Sequence, residues 1–271
     1  VKLGLIGFPL RHTVSPAMQE AALRAAGLRG SYRPLETPPE GLRDRLQEVR
    51  REYTGVNVTI PHKESVLDWI DAMSPEARAI GAVNTIQVKD GKLIGHNTDA
   101  PGFIAALGEA GVVYRGKRAL VLGAGGAARA VVYALREGGA YVGVHNRSLE
   151  RAQALCRDLG AYPVTEADLE AAVEGCDLLV NATSVGMKDP HASPLPRGLL
   201  PRWGTVVDIV YNPLQTRLLR EAAEAGLPTL GGVPMLVWQG ALAFELWTGR
   251  RADVEAMYQA ALAVLEGPSR L

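Results

Sequence analysis

One stretch limits the possible folds more than any other: KRALVLGAGGAARAVVYALREGGAYVGVHNRS, residues 117–148. An apolar strand runs into a glycine turn, a helix follows, and a second apolar strand closes the unit. Strand–helix–strand units of this kind build parallel sheets with helices packed on their faces. Gly123, Gly125 and Ala128 fit the pattern G-x-G-x-x-A. The first glycine permits the tight turn, the second lets a pyrophosphate approach the backbone, and the third small residue lets helix and strand pack closely. A plain tight turn would also explain such a run. Its place between strand and helix favours a dinucleotide site, with the helix N-terminus turned to the phosphates.

The end of the second strand refines that reading. Sites for NAD place an acid about twenty residues further on, to bind the ribose 2′-hydroxyl. Here the chain reads VHNRSLER, with Asn146, Arg147, Ser148 and Arg151 and no acid before Glu150. Arginine forks suit a 2′-phosphate and an acid would repel it, so the cofactor expected is NADP. Ser148 can also be read as a helix cap.

The first hundred residues carry a separate strand–helix alternation. Strands are expected at 2–7, 31–36 and 55–60, and helices at 15–27, where Ser15 can cap and Gly27 stops, and at 39–51. Residues 82–99 read as a hairpin turning at Asp90–Gly91. A helix from Asp99 to Gly111 leads to the point where the pattern restarts, and further strands follow at 176–186 and 204–213. A helix at 214–226 and two closing helices, 234–248 and 253–266, complete the chain. The fold expected is two-domain α/β. Residues 1–98, with mixed and mainly parallel strands, form one domain completed by 239–271, and residues 99–238 form a Rossmann-like domain.

Composition narrows the function. Basic and acidic residues balance at 29 each and only 6% of residues are aromatic, so nothing calls for nucleic acid or an anionic membrane. Cys156 and Cys176 are not in a C-x-x-C arrangement and read as reduced core thiols in a cytoplasmic protein. The opening VKLGLIG reads as a strand, too short for a signal peptide or membrane span. No His/Cys spacing suggests a metal and no G-x-S-x-G suggests a serine hydrolase.

Polar residues gather where the first-domain strands should end. RHTVSP, NVTIPHK, AVNT and HNTDA supply Thr13, Ser15, Asn57, Thr59, Lys63, Asn84 and Asp99. Open α/β sheets bind ligands at that edge. Hydroxyls and amides with one cation and one anion suit a small polyhydroxylated molecule. Lys63 stands out, because only six of the 29 basic residues are lysines. Ordinary structural roles stay open: Ser15 as a cap, Asn84 as a turn residue, Asp99 as a turn or cap residue. His62 reads as a neighbour of the site.

With those motifs the chain resembles the shikimate 5-dehydrogenase family over essentially its whole length. SP, NVTIPHK, GAVNT, NTDA, GAGGAARA, HNRS, NATSVGM, DIVYNP and GGVPMLVWQG occur in the family's order. The resemblance implies NADPH-dependent reduction of 3-dehydroshikimate to shikimate in aromatic amino-acid biosynthesis. It implies Lys63 and Asp99 as the catalytic pair, and Ser15, Asn57, Thr59, Asn84, Gln239 and Tyr211 as substrate contacts. Thr13 stands where the family usually has serine and keeps the hydroxyl. Gly125, Gly126 and Ala127 match the pyrophosphate turn. Asn146, Arg147 and Arg151 match the adenosine-phosphate site, Thr183, Ser184, Gly232 and Met235 the nicotinamide side, and Ile209 is a further cofactor-binding residue. Ala100 replaces a usual glycine, and His62 a commonly apolar residue. The partners implied are small molecules, with the chain as monomer or homodimer.

In that mechanism Lys63 stabilises the charge growing on the ketone oxygen, and Asp99 orients the ammonium. Three other readings compete. A quinate/shikimate dehydrogenase preferring NAD is disfavoured by the acid-free NRS. A non-catalytic dinucleotide sensor should have lost Lys63 or Asp99. Another amino-acid or folate dehydrogenase of the same plan fits the hydroxyl-rich pocket poorly.

Overall fold

The computed structural model describes residues 1–10 and 13–267. The chain forms two compact units, Val1–Gly102 with Val237–Leu271, and Phe103–Leu236. The expected boundary lay at 98/99, whereas the chain passes between units inside the helix that begins at Asp99.

The first unit opens with β1 (Lys2–Gly7), α1 (Ser15–Ala25), β2 (Ser31–Glu36), α2 (Leu42–Glu52), β3 (Gly55–Val58) and a single helical turn, α3 (His62–Ser65). β4 (Ala72–Met73) and α4 (Pro75–Ile80) precede the hairpin β5 (Thr85–Lys89) and β6 (Lys92–His96). The strands lie in the order β2-β1-β3-β5-β6-β4. β1 runs parallel to β2 and β3, β4 runs parallel to β6, and the pairs β3–β5 and β5–β6 are antiparallel. The hairpin turns at Asp90 and Gly91, whose φ of 52° and 69° are the two positive values a type I′ turn requires.

β1 is buried on both faces. Ile6 packs toward Leu46, Val49 and Ile86, while Leu3 and Leu5 meet Ala243 and Trp247 of the first of the two closing helices. Those helices are α10 (Val233–Thr248) and α11 (Val254–Leu265). Trp247 Nε1 donates to Ile86 O at 2.9 Å, and a Cβ on Gly55 would lie 2.2 Å from that nitrogen. Only glycine at position 55 leaves room for the indole against β3.

The second unit begins within α5 (Asp99–Glu109). It continues with β7 (Arg118–Leu122), α6 (Gly126–Glu137), β8 (Tyr141–His145), α7 (Leu149–Leu159), β9 (Tyr162–Pro163) and α8 (Leu169–Gly175). β10 (Leu178–Asn181), β11 (Thr205–Asp208), α9 (Arg217–Glu224) and β12 (Thr229–Leu230) follow. The sheet is wholly parallel in the order β12-β11-β10-β7-β8-β9. The order reverses at β7, the place where open parallel sheets carry their ligands. The two-domain α/β reading therefore holds, with one mixed and one parallel sheet.

Three local readings are corrected. Ser15 does not cap α1; it is the first helical residue, and its N–H is held at 3.4 Å by the Thr13 hydroxyl. The third strand stops at Val58, since Thr59 and Ile60 leave the sheet and residues 62–65 wind into α3. Asp99 does not cap α5 either; Asn97 Oδ1 accepts from Ala100 N at 3.2 Å.

Candidate active site

Backbone bonds fix the loop after β3 before any side chain acts. Thr59 N donates to Ile6 O at 2.8 Å, Phe8 N to Ile60 O at 3.0 Å, and His62 N to Thr59 O at 2.9 Å. His62 is buried, and its Nε2 lies 2.7 Å from Thr37 O; a carbonyl only accepts, so Nε2 carries the proton. His62 Nδ1 is left buried without a partner among the described residues. Lys63 O accepts from Val83 N at 2.8 Å, which ties the helical turn to the segment leading into β5.

This frame presents Lys63 to Asp99, with Nζ 2.6 Å from Oδ2 and side chains 15% and 6% exposed. Asn84 is the hub beneath the pair. Its Nδ2 lies 3.0 Å from Asp99 Oδ1, 2.8 Å from Thr98 Oγ1 and 3.2 Å from Gln239 Oε1. Its Oδ1 accepts from Thr98 N at 2.7 Å and from the Thr85 hydroxyl at 3.1 Å. Asn57 extends the network: Nδ2 reaches Asn84 O and Thr85 Oγ1, and Oδ1 accepts from Tyr32 OH at 2.8 Å. Asp99 thus has both oxygens occupied, while the Lys63 ammonium spends one of its three donors on it.

A buried ion pair is poor evidence for stability, because desolvating two charges offsets most of their attraction. Here the ammonium makes one hydrogen bond among the described residues and keeps donors to spare. The hydroxyls of Ser15 and Thr59 make no hydrogen bond within the described residues. Gln239 arrives from far along the chain. A Cβ on Gly102 would lie 2.7 Å from Gln239 N, so α5 and α10 meet only because Gly102 has no side chain. Arg11 and His12, within the RHTVSP stretch, lie outside the described residues.

Lys63, Asp99, Asn57, Asn84 and Gln239 are therefore joined in one network in the first unit, which also holds Thr13, Ser15 and Thr59. Tyr211 belongs to the second unit, on the loop after β11, and burial raises its phenol pKa. Sequence reasoning missed Tyr32, Thr85 and Thr98 as supports of Asn57 and Asn84. Thr98 lies inside NTD and could have been read from it. Tyr32 sits mid-strand, with nothing in its sequence context to mark it.

In the second unit the glycine turn is an open cradle. Gly123 has φ 115° and a Cβ there would press on Ala182 at 3.1 Å. A Cβ on Gly125 would meet nothing within 4 Å, and α6 begins without a side-chain cap, leaving its first N–H groups to a ligand. Gly126 and Ala127 form the first helical positions. Beyond β8, Asn146 Nδ2 binds Ser148 O at 3.0 Å, and Ser148 Oγ caps α7 through Arg151 N at 3.4 Å. Arg147 is exposed and makes no ion pair among the described residues. This set fits a dinucleotide with an extra phosphate. On the other half, Gly232 packs on Ile209, where a Cβ would lie 2.3 Å from Ile209 O. Thr183 is held by Asn181, Met235 is buried and Ser184 is exposed.

Known proteins match this chain along its length. The family model for the shikimate dehydrogenase substrate binding domain matches residues 5–86, that for shikimate/quinate 5-dehydrogenase residues 107–190, and that for the shikimate 5′-dehydrogenase C-terminal domain residues 232–262. A curated shikimate dehydrogenase (NADP(+)) of Thermus thermophilus is 54% identical over 98% of this chain and 99% of its own. The chain belongs to the shikimate dehydrogenase family.

Solved structures of shikimate dehydrogenases and related enzymes carry the same fold. A shikimate 5-dehydrogenase of Thermus thermophilus, crystallised with NADP(H) and shikimate, matches with a TM-score of 0.92 and 52% identity over 98% of this chain and 100% of that one. Quinate dehydrogenase of Corynebacterium glutamicum, in complex with NAD, matches with a TM-score of 0.89 and 33% identity over 97% and 99%. Because the fold carries both, the side chains of each site have to decide substrate and cofactor.

Proposed function

We infer that this protein is an NADP-dependent shikimate dehydrogenase that reduces 3-dehydroshikimate to shikimate. The observation that carries the reading is the Lys63–Asp99 pair, 2.6 Å apart, set on the Asn84 hub. NADPH supplies the hydride. Lys63 stabilises the charge that grows on the ketone oxygen and can give it a proton. Asp99 orients the ammonium, and Asn84 holds Asp99 from behind. Ser15, Thr59 and the amides of Asn57, Asn84 and Gln239 recognise the ring hydroxyls. Gly123, Gly125, Gly126 and Ala127 take the pyrophosphate, and Arg147, with Asn146 and Arg151, takes the 2′-phosphate.

NADPH oxidation followed with 3-dehydroshikimate, beside quinate and shikimate oxidation with NADP and with NAD, tests the reading. Turnover confined to NAD and quinate would replace it with the quinate-dehydrogenase alternative. We place the enzyme in the cytoplasm as a monomer or homodimer. The two free buried cysteines support a reducing compartment. Fractionation of the source cells and sedimentation equilibrium test these two points.

A further inference from the structure

Asp208 is fully buried at the end of β11 and carries no counter-ion among the described residues. Its Oδ1 accepts from Asn181 Nδ2 at 2.9 Å and Val210 N at 3.0 Å, and its Oδ2 from Thr216 Oγ1 at 2.7 Å. Both partners of Oδ1 can only donate, so Oδ1 is held as an acceptor, and a proton on the carboxyl would have to sit on Oδ2 against the Thr216 hydroxyl. Asn181 ends β10, Val210 lies on the loop after β11 and Thr216 stands at the start of α9. Asn181 uses its other end, Oδ1, to hold Thr183 N at 3.1 Å and Thr183 Oγ1 at 2.7 Å. Thr216 caps α9 through Leu219 N at 3.3 Å.

We propose that Asp208 is a positioning residue for the nicotinamide half of the cofactor site. By taking Asn181 Nδ2, it fixes which way that amide points and so presents Oδ1 to Thr183. By taking Val210 N and Thr216, it holds the loop after β11, which carries Ile209. Thr183 is assigned to the nicotinamide side and Ile209 to the cofactor site, so the proposal rests on that reading of the cofactor site.

The energetics agree. Burial raises the Asp208 carboxyl to about 6, and the three donors only partly offset the effect. A residue kept ionised at such a disadvantage is a candidate for function rather than stability. No charge on the neighbouring elements compensates it. β10 and β12 hold no titratable side chain. On α9, Arg217 is turned to Glu221 and the His191 carbonyl, Arg220 to the Gln215 carbonyl, and Glu224 is exposed. Tyr211, three residues on, stays neutral through this range.

The test is NADPH binding to the full-length protein from pH 5 to 8, with steady-state kinetics and melting curves, for wild type, Asp208→Asn, Thr216→Val and Thr216→Ser. Asparagine keeps the shape but presents a donor to Thr216. We expect Asp208→Asn to raise the NADPH Kd and KM roughly tenfold above pH 7, with the shikimate KM within about twofold. Wild type should converge on the mutant as pH falls through about 6. The 2′-phosphate titrates alike in both, so the difference isolates Asp208. Thr216→Val should move NADPH affinity the same way and Thr216→Ser should restore it, which keeps the test decisive if Asp208→Asn folds poorly. Variants that melt lower yet bind NADPH like wild type at every pH would overturn the proposal. A wild type that binds no NADPH would overturn the cofactor reading beneath it instead.

Discussion

Removing the Lys63 ammonium would leave an Asp99 side chain only 6% exposed, with Asn84 its one remaining side-chain partner among the described residues. Arginine could restore the charge but not the chemistry, since guanidinium is planar, larger and effectively never deprotonated. Lys63→Arg and Lys63→Ala should both lower kcat by about 10²–10⁴-fold, with substrate and NADPH still bound within about tenfold. Asp99→Asn should give a similar loss, and the double mutant much less than the product, because the two act as a unit. Near-normal turnover of Lys63→Arg would show that the lysine serves only as a positive charge beside Asp99. The cofactor has its own single-residue test. Arg147→Asp should weaken NADPH by about 1.5–3 kcal/mol and NADH little, as measured by paired titrations. Equal losses for both would make Arg147 structural.

Elements meet the site through glycine. Gly102 lets α5 pack against α10 at the point where Gln239 reaches Asn84. Gly102→Ala places a methyl 2.7 Å from backbone, which rigid helices cannot give way to, so about 1–3 kcal/mol of stability should be lost in urea titration. The shikimate KM should rise in the folded fraction, because Gln239 moves with α10. Unchanged stability would mean that the helices separate freely. None of this was legible in NTDAPGF or in VWQG alone. Periodicity marks each helix but not which helix it packs against. The β3 end shows the converse: its polar cluster was readable, yet the helical turn that aims Lys63 was not, because four residues are too few for a periodic signal.

For the molecule as a whole, pH reports on buried charge. The Asp208 carboxyl is raised from 3.8 to about 6 on folding, so its favourable share of stability is complete below pH 3.8 and is lost as pH rises through about 6. His96 has the opposite sign: burial lowers its pKa, so stability falls as pH drops below 6.5. The wild-type curve mixes the two, whereas the difference between Asp208→Asn and wild type isolates the first. Between pH 4 and 7.5 that difference should move in favour of the mutant by on the order of 3 kcal/mol, read from chemical denaturation. A flat difference would mean that water reaches Asp208. The sequence by itself determined what local pattern can carry: two strand–helix series, the glycine turn, the acid-free NRS and the polar strand ends, each written in adjacent residues. Only the tertiary structure decided that Gln239 returns to Asn84, that Tyr32 and Thr85 brace the amides, that Ser15 is not a cap, and that Asp208 is buried without a cation among the described residues. Those facts depend on which surfaces exclude water together, and contacts across long sequence separations leave no periodic trace in the chain.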